Sequence, residues 1–400
     1  MSKITKYALS DLYDMSSGLS SKKEQAGHGA PFVSFGTVFN NYFLPEELPD
    51  LMDTNEKEQQ IYSIKTGDVL ITRTSETIDE LAMSCVAVKD YPKATYSGFT
   101  KRLRPKREGI AYPKYMAFYF RSALFRKAVT NNAFMTLRAS FNEDIFTFLD
   151  VYLPDYDEQV RIGDMLYNIE CKIQKNKEIN DYLEEMAKTI YDYWFVQFDF
   201  PDENGRPYRT SGGAMEWNDQ LKQEIPNGWK VMRICDIADL YQPKTLSGSD
   251  MVENGLYNVY GANGIIGKYN SYNHENRTIA ITCRGASCGN FLMTLPKSWI
   301  TGNAMVVSPH AEISQEYLYY TLSKDRISPF ITGSAQPQIT RENLSNLLVV
   351  IADEKNMTAF STFSDVVRSK IESSVSENEE LTKLRDWLLP MLMNGQAKVE

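Results

Sequence analysis

Histidine and cysteine are scarce in this 400-residue chain, which has three of the former and five of the latter. The cysteines, Cys85, Cys171, Cys235, Cys283 and Cys288, are odd in number and scattered, which argues for reduced thiols and against a disulfide framework. Cys283 and Cys288 could be half of a metal site. His28, His274 and His310 supply no second close pair of ligands, however, so no metal is expected. No run of roughly 18 apolar residues occurs, which excludes a helical membrane span. The opening MSKITKYALSDLYD has no apolar signal core, so a cytoplasmic location without membrane contact is expected. Positive charge is not in excess either: 43 Lys and Arg against 52 Asp and Glu give a net charge of -9. A grip on nucleic acid through bulk electrostatics is thereby disfavoured, and only local basic clusters could serve.

Catalytic constellations are missing as well. No GxSxG elbow, HExxH helix or GxGxxG fingerprint occurs, nor the Asp- or Asn-Pro-Pro-aromatic loop of an amino-methyltransferase. GANGIIGK, from Gly261 to Lys268, has five residues between its glycines where a phosphate loop has four, and Tyr269 follows where Ser or Thr should. Asp68 in GDVLITR has a turn role available. The chain is therefore read as non-catalytic.

What is present is enough apolar material for two cores, 42% hydrophobic and 12% aromatic, and an internal repeat. FVSFGTVF, GDVLITR, YSGFTKRL and the helical YPKYMAFYFRSALFRKAV run in the same order as YNVYGANG, RTIAITCRG, ITGNAMVV and ISQEYLYYTLSKD. A long helical stretch follows each series. The first places Ile162, Leu166, Ile169, Ile173, Asn176, Asn180, Leu183, Ala187, Ile190 and Trp194 at alternating steps of four and three, a heptad seam. Shifted by 198 positions, the second gives Phe360, Ser364, Val367, Ile371, Ser374, Asn378, Leu381, Arg385, Leu388 and Leu392. Each stretch of about 40 residues would make a rod of about 60 Å.

The expected fold class is α+β: two tandem mixed α/β domains separated by two long helices packed as an antiparallel coiled coil. The first domain spans 1–155, the first helix 156–200, a linker 201–226, the second domain 227–352 and the second helix 353–396. Asn180 and Asn378 are candidate register pins in the seam. Trp194 and Phe195 continue it and are assigned to helix-end packing or a subunit interface.

Basic and amide side chains gather on the loops of both domains. The first offers Lys22, Lys23, Arg73, Thr74, Ser75, Lys101 and Arg102, with Arg104 beside them. The second offers Lys244, Thr245, Asn263, Arg284, Gln336, Gln338 and Arg341. Arg and Lys can bond guanine edges in the major groove, and Asn or Gln can bond adenine bidentately, so these are the candidate DNA contacts.

EKEQQIYSIKTGDVLITRTSE, YNVYGANGIIGKYN and the helix ending MAKTIYDYWFVQFDFP, with a second domain opening at IPNGWKVMRICDIADL, resemble segments of type I restriction-modification specificity subunits. The resemblance covers nearly the whole chain. It implies a target recognition domain in each half that reads one half of a bipartite double-stranded DNA site, the helices setting the gap. It also implies partners: two modification (methyltransferase) subunits using S-adenosylmethionine, and restriction subunits using ATP and Mg. No cofactor is expected in this chain. Alternatives are service to a fused endonuclease-methyltransferase, a coiled-coil scaffold that binds no DNA, and an enzyme with an unrecognised site.

Overall fold

The computed structural model describes residues 4–75, 77, 80–132, 139–261, 263–322, 324–333, 336–397 and 399. The chain forms two compact units, Met1–Lys175 with Glu377–Glu400, and Asn176–Ser376. Among the described residues no helix is long and apolar enough to cross a membrane.

In the first unit the strands are β1 (Thr5–Ala8), β2 (Tyr13–Ser17), β3 (Ala26–Val33), β4 (Asp50–Met52), β5 (Val69–Thr72), β6 (Thr74–Ser75), β7 (Ser84–Val86), β8 (Thr95–Tyr96), β9 (Thr100–Pro105), β10 (Ala139–Ser140) and β11 (Asp150–Leu153). A four-stranded antiparallel sheet in the order β2-β9-β5-β7 lies at its centre. β5 reads Val-Leu-Ile-Thr and is buried on both faces, as an unbroken apolar strand inside a layered core should be. The turn entering β5 is fixed by Asp68, which accepts the Lys65 N–H at 2.7 Å, and by Gly67 at φ +87°, a conformation glycine takes without strain. Asp68 thus has the turn role expected of it and also pairs with Arg104 at 2.6 Å. The helix Pro113–Tyr119, opened by proline, lays buried Tyr115, Met116, Phe118 and Tyr119 into a core that also takes Val69, Ile71 and Leu103.

The second unit contains β12 (Met215–Asn218), β13 (Gln223–Pro226), β14 (Lys230–Arg233), β15 (Ala238–Tyr241), β16 (Tyr257–Gly261), β17 (Gly264–Tyr269), β18 (Ile279–Thr282), β19 (Phe291–Met293), β20 (Trp299–Ile300), β21 (Ala304–Pro309) and β22 (Leu348–Ile351). Its central sheet runs β15-β21-β18-β19, the order of β2-β9-β5-β7. The three-stranded sheets also correspond, β4-β3-β8 with β17-β16-β20, as do the pairs β1-β11 and β14-β22. The repeat in the sequence is a repeat of topology.

GANGIIGK, already set aside as a phosphate loop on its spacing, belongs to the β16–β17 hairpin, with Gly264 at φ +119°. One expectation is amended here. Residues 201–226, expected to be a linker, are ordered within the second unit. β12 and β13 pair as a hairpin, Ile225 is buried, and Phe200 stacks on Tyr208 at 4.5 Å. The apolar residues in this stretch follow no period, so a pattern search passes over them.

The long helices are Tyr156–Tyr191 and Glu354–Met393. Every seam residue of both is buried or half-buried. In the first unit Arg385 meets Glu170 at 2.7 Å and Asn378 donates to the Ile173 carbonyl at 3.2 Å. In the second, Arg368 meets Glu184 at 3.1 Å. Low numbers on one helix meet high numbers on the other, so the pairing is antiparallel.

Candidate DNA-reading clefts

Each unit carries a cleft at the same end of its four-stranded sheet. The first, about 510 Å³, is lined by Ser17 at the end of β2 and Gly18 to Ser21 after it, Arg73 and Thr74 after β5, and Ser97, Gly98 and Phe99 after β8. The second, about 430 Å³, is lined by Tyr241 and Gln242 at the end of β15, Arg284 after β18, Met305 of β21, and the run Gln338 to Arg341. Among the described lining residues neither cleft has a carboxylate, which suits a polyanion.

A glycine shapes the mouth of each. A Cβ on Gly98 would lie 2.8 Å from the Leu19 carbonyl oxygen, and one on Gly302 would lie 2.9 Å from that of Pro243. Only glycine lets the loop after the first strand close onto the turn after β8 or β20.

The strand register gives the correspondence residue by residue. Ile71 pairs with Lys101 and Ile281 with Met305. The Arg73 N–H donates to the Phe99 carbonyl at 2.8 Å, and the Cys283 N–H to that of Asn303 at 3.4 Å. The Phe141 N–H donates to the Arg73 carbonyl at 2.8 Å, and the Ile339 N–H to that of Cys283 at 2.9 Å. Arg73 therefore corresponds to Cys283, and Arg284, bridged to Gln338, corresponds to Thr74.

The candidate contacts divide accordingly. Arg73 and Thr74 line the first cleft; Arg284, Gln338 and Arg341 line the second. Lys22 and Lys23 are exposed just beyond Ser21, Lys244 and Thr245 just beyond Gln242. Asn263 stands at the tip of the β16–β17 hairpin, and Gln336 is exposed in the run leading to Gln338. Ser75 is buried, with its hydroxyl 3.4 Å from Glu80. Lys101 is also buried, on the same face of the sheet as Ser17.

Arg102 does not fit its expected role. It is buried on the opposite face of β9, donates to the Ser63 carbonyl and lies over the Tyr96 ring at 5.4 Å. Strand alternation turns one residue of the Lys-Arg pair toward the cleft side and the other into the fold.

Sequence reasoning missed Ser17, Phe99, Tyr241 and Gln242. Aligning the β2 loop with the end of β15 would have flagged them. Burial pushes the thiols of Cys283 and Cys288 up, so neither is a poised nucleophile.

On the helices, Asn378 makes the cross-helix bond described above, whereas the Asn180 side-chain oxygen is buried without a partner among the described residues. Trp194 is half-buried and packs on Phe195 and Phe360. Phe195, assigned with Trp194 to helix-end packing or a subunit interface, is 2% exposed inside the second unit's own core, against Trp229 and Tyr317. The cause is local: the Gln197 N–H bonds five residues back to Asp192, and this wider last turn rotates Phe195 inward.

Comparison with known proteins agrees with this arrangement. The sequence profile of the type I restriction modification DNA specificity domain matches residues 1–185 and 226–383. The type I restriction enzyme MjaIX specificity subunit of Methanocaldococcus jannaschii is 21% identical, over 94% of this chain and 89% of its own. The HindI specificity subunit of Haemophilus influenzae is 22% identical, over 91% and 94%. The crystal structure of a type I restriction-modification S subunit from M. genitalium superposes with a TM-score of 0.59 at 16% identity, covering 98% of this chain and 96% of that one. With the fold, the duplicated domain and the family profile in agreement, the chain belongs to the type I restriction-modification DNA specificity family and is a specificity subunit.

Proposed function

We propose that each unit reads one half of a bipartite, asymmetric DNA target, and that the paired helices set the gap between the halves. One observation carries this reading: the same strand ladder occurs twice, with a cleft at the same place that no carboxylate lines among the described residues, yet equivalent positions hold different side chains. Identical frames with different linings suit two different half-sites. At 1.5 Å per residue the helices of 36 and 40 residues measure about 54 and 60 Å, room for readers about one DNA turn apart.

Two modification subunits dock on the helices. In the second unit Ile179, Tyr182 and Met186 form an exposed apolar stripe at helical spacing. In the first unit Leu384 and Trp387 are exposed, and Leu384 is the repeat counterpart of Met186. One such stripe per unit suits two copies of one partner. Methylation, with S-adenosylmethionine, and cleavage, with ATP and Mg, belong to those modification and restriction partners, and the net charge of -9 makes the free chain a weak DNA binder. The test exchanges residues 1–155 for those of another family member and maps methylation by the assembled complex. One half-target should change while the other half and the gap stay. A change in both halves contradicts the reading.

A further inference from the structure

Lys101 is a buried cation that no counter-charge meets among the described residues. It is 9% exposed, and among the described residues it has no ion pair or side-chain hydrogen bond. Its surroundings follow from strand register. In an antiparallel ladder, directly paired residues share a face, and so do residues two apart on one strand. Lys101 pairs with Ser17 on one side and Ile71 on the other. Phe99 and Arg73 continue the same face, two residues along each strand. Ser17, Phe99 and Arg73 all line the first cleft, and the Lys101 side chain leaves the sheet on the face they share, beneath the residues that line it.

Burying a cation is unfavourable unless something pairs with it. No carboxylate lines this cleft among the described residues, so an acceptor that enters it meets a cation that none of them compensates. In the second unit the same position is Met305, an uncharged side chain in the cleft lining that requires no counter-charge. The lysine is therefore not a requirement of the fold.

Within the two-reader arrangement, on which this step rests, we propose that Lys101 is a specificity-determining residue that donates to the acceptor edge of a guanine in the first half-target. An ammonium has donors and no acceptor. Guanine presents two adjacent major-groove acceptors, N7 and O6, whereas adenine sets a donor beside its N7 and thymine has one acceptor beside a methyl. Arg73 at the rim is placed to reinforce the same preference.

The experiment compares the wild type, Lys101→Met and Arg73→Ala as assembled methyltransferase complexes, by methylome sequencing and thermal unfolding. Lys101→Met imports the residue of the second unit. It should leave the second half-target and the gap intact, and relax one guanine position of the first half by about 5- to 150-fold. The unfolding temperature should hold or rise, because an unpaired buried charge has gone. Methylation that weakens evenly at all sites, with a shallower salt dependence, would make Lys101 a phosphate contact and overturn the proposal. An unchanged consensus with Lys101→Met, while Arg73→Ala alters the first half, also overturns it and leaves the two-reader arrangement standing. If neither variant alters any half-target, the proposal is overturned, and the exchange of residues 1–155 still decides the two-reader arrangement. Should Lys101→Met not accumulate as a soluble complex, Lys101→Gln is read by the same criteria.

Discussion

Where the first unit holds Asp68 against Arg104, the second holds Thr278 and Ser308. The register fixes the equivalence: Arg104 pairs with Asp14 as Ser308 pairs with Asp239, and the Asp68 and Thr278 carbonyls each accept an N–H at 2.9 Å, from Ala87 and Thr294. Asp68 is fully buried and pairs with Arg104 at 2.6 Å; Thr278 meets its needs locally, donating to the Asn276 carbonyl at 3.0 Å. One ladder thus tolerates an ion pair or two hydroxyls at the same spot. The backbone frame is set by apolar strands and turns, and polar positions on it are free to diverge, which is what a pair of readers for different half-sites needs.

The largest effect that would sharpen this comparison is on stability. Arg104→Ser alone leaves the Asp68 carboxylate buried without its guanidinium and should cost about 3 kcal/mol, the low end for breaking a buried pair because Arg104 keeps partial solvent contact. Asp68→Thr with Arg104→Ser copies the second unit and should recover most of that loss in denaturant unfolding. A double variant as unstable as the single would mean that the two frames are not interchangeable.

Next in size is the effect on reading. Arg284→Ala should relax the second half-target by about 1–3 kcal/mol of discrimination and leave the first untouched, while Arg73→Ala should do the reverse. Methylation maps of the two variants must differ in which half they change. If either variant altered both halves, the units would not be independent readers.

The smallest effect concerns acid. The Thr66 N–H and hydroxyl, at 2.8 and 2.9 Å, hold the Asp90 carboxyl below its ordinary range. A carboxyl depressed in the folded state contributes stability at neutral pH, and that contribution is lost as pH falls through its folded value. Asp90→Asn should therefore cost under about 1 kcal/mol at pH 7, and the gap from wild type should close on acidification. A gap that widened toward low pH would reverse the sign of this account.

Much of the frame was legible in the sequence because it is written locally. Heptad spacing marked the seam from Ile162 to Trp194, and the shared order of ITR and ITCRG segments marked the repeat. The clefts were half legible. Arg73, Arg284 and Gln338 stood out as polar residues at strand ends, but Ser17 and Gln242 join them through pairing between strands distant in sequence. Which of Lys101 and Arg102 turns toward the cleft side depends on that same register, which composition does not carry. Phe195 takes the helix-end packing of its two expected roles, and a single wide turn, from Asp192 to Gln197, shifts the helical phase that buries it.

The central claim, two readers held apart by a helical spacer, is tested most directly by lengthening the spacer. One heptad would be inserted between Lys175 and Asn176 and another between Ser376 and Glu377, the two places where the chain passes from one unit to the other. Each insertion adds about 10 Å of helix, about three base pairs of DNA length. Methylome sequencing of a host carrying the assembled complex should then show both half-targets unchanged and the gap between them longer by about that amount. An unaltered gap, or altered half-targets beside a new gap, would contradict the account.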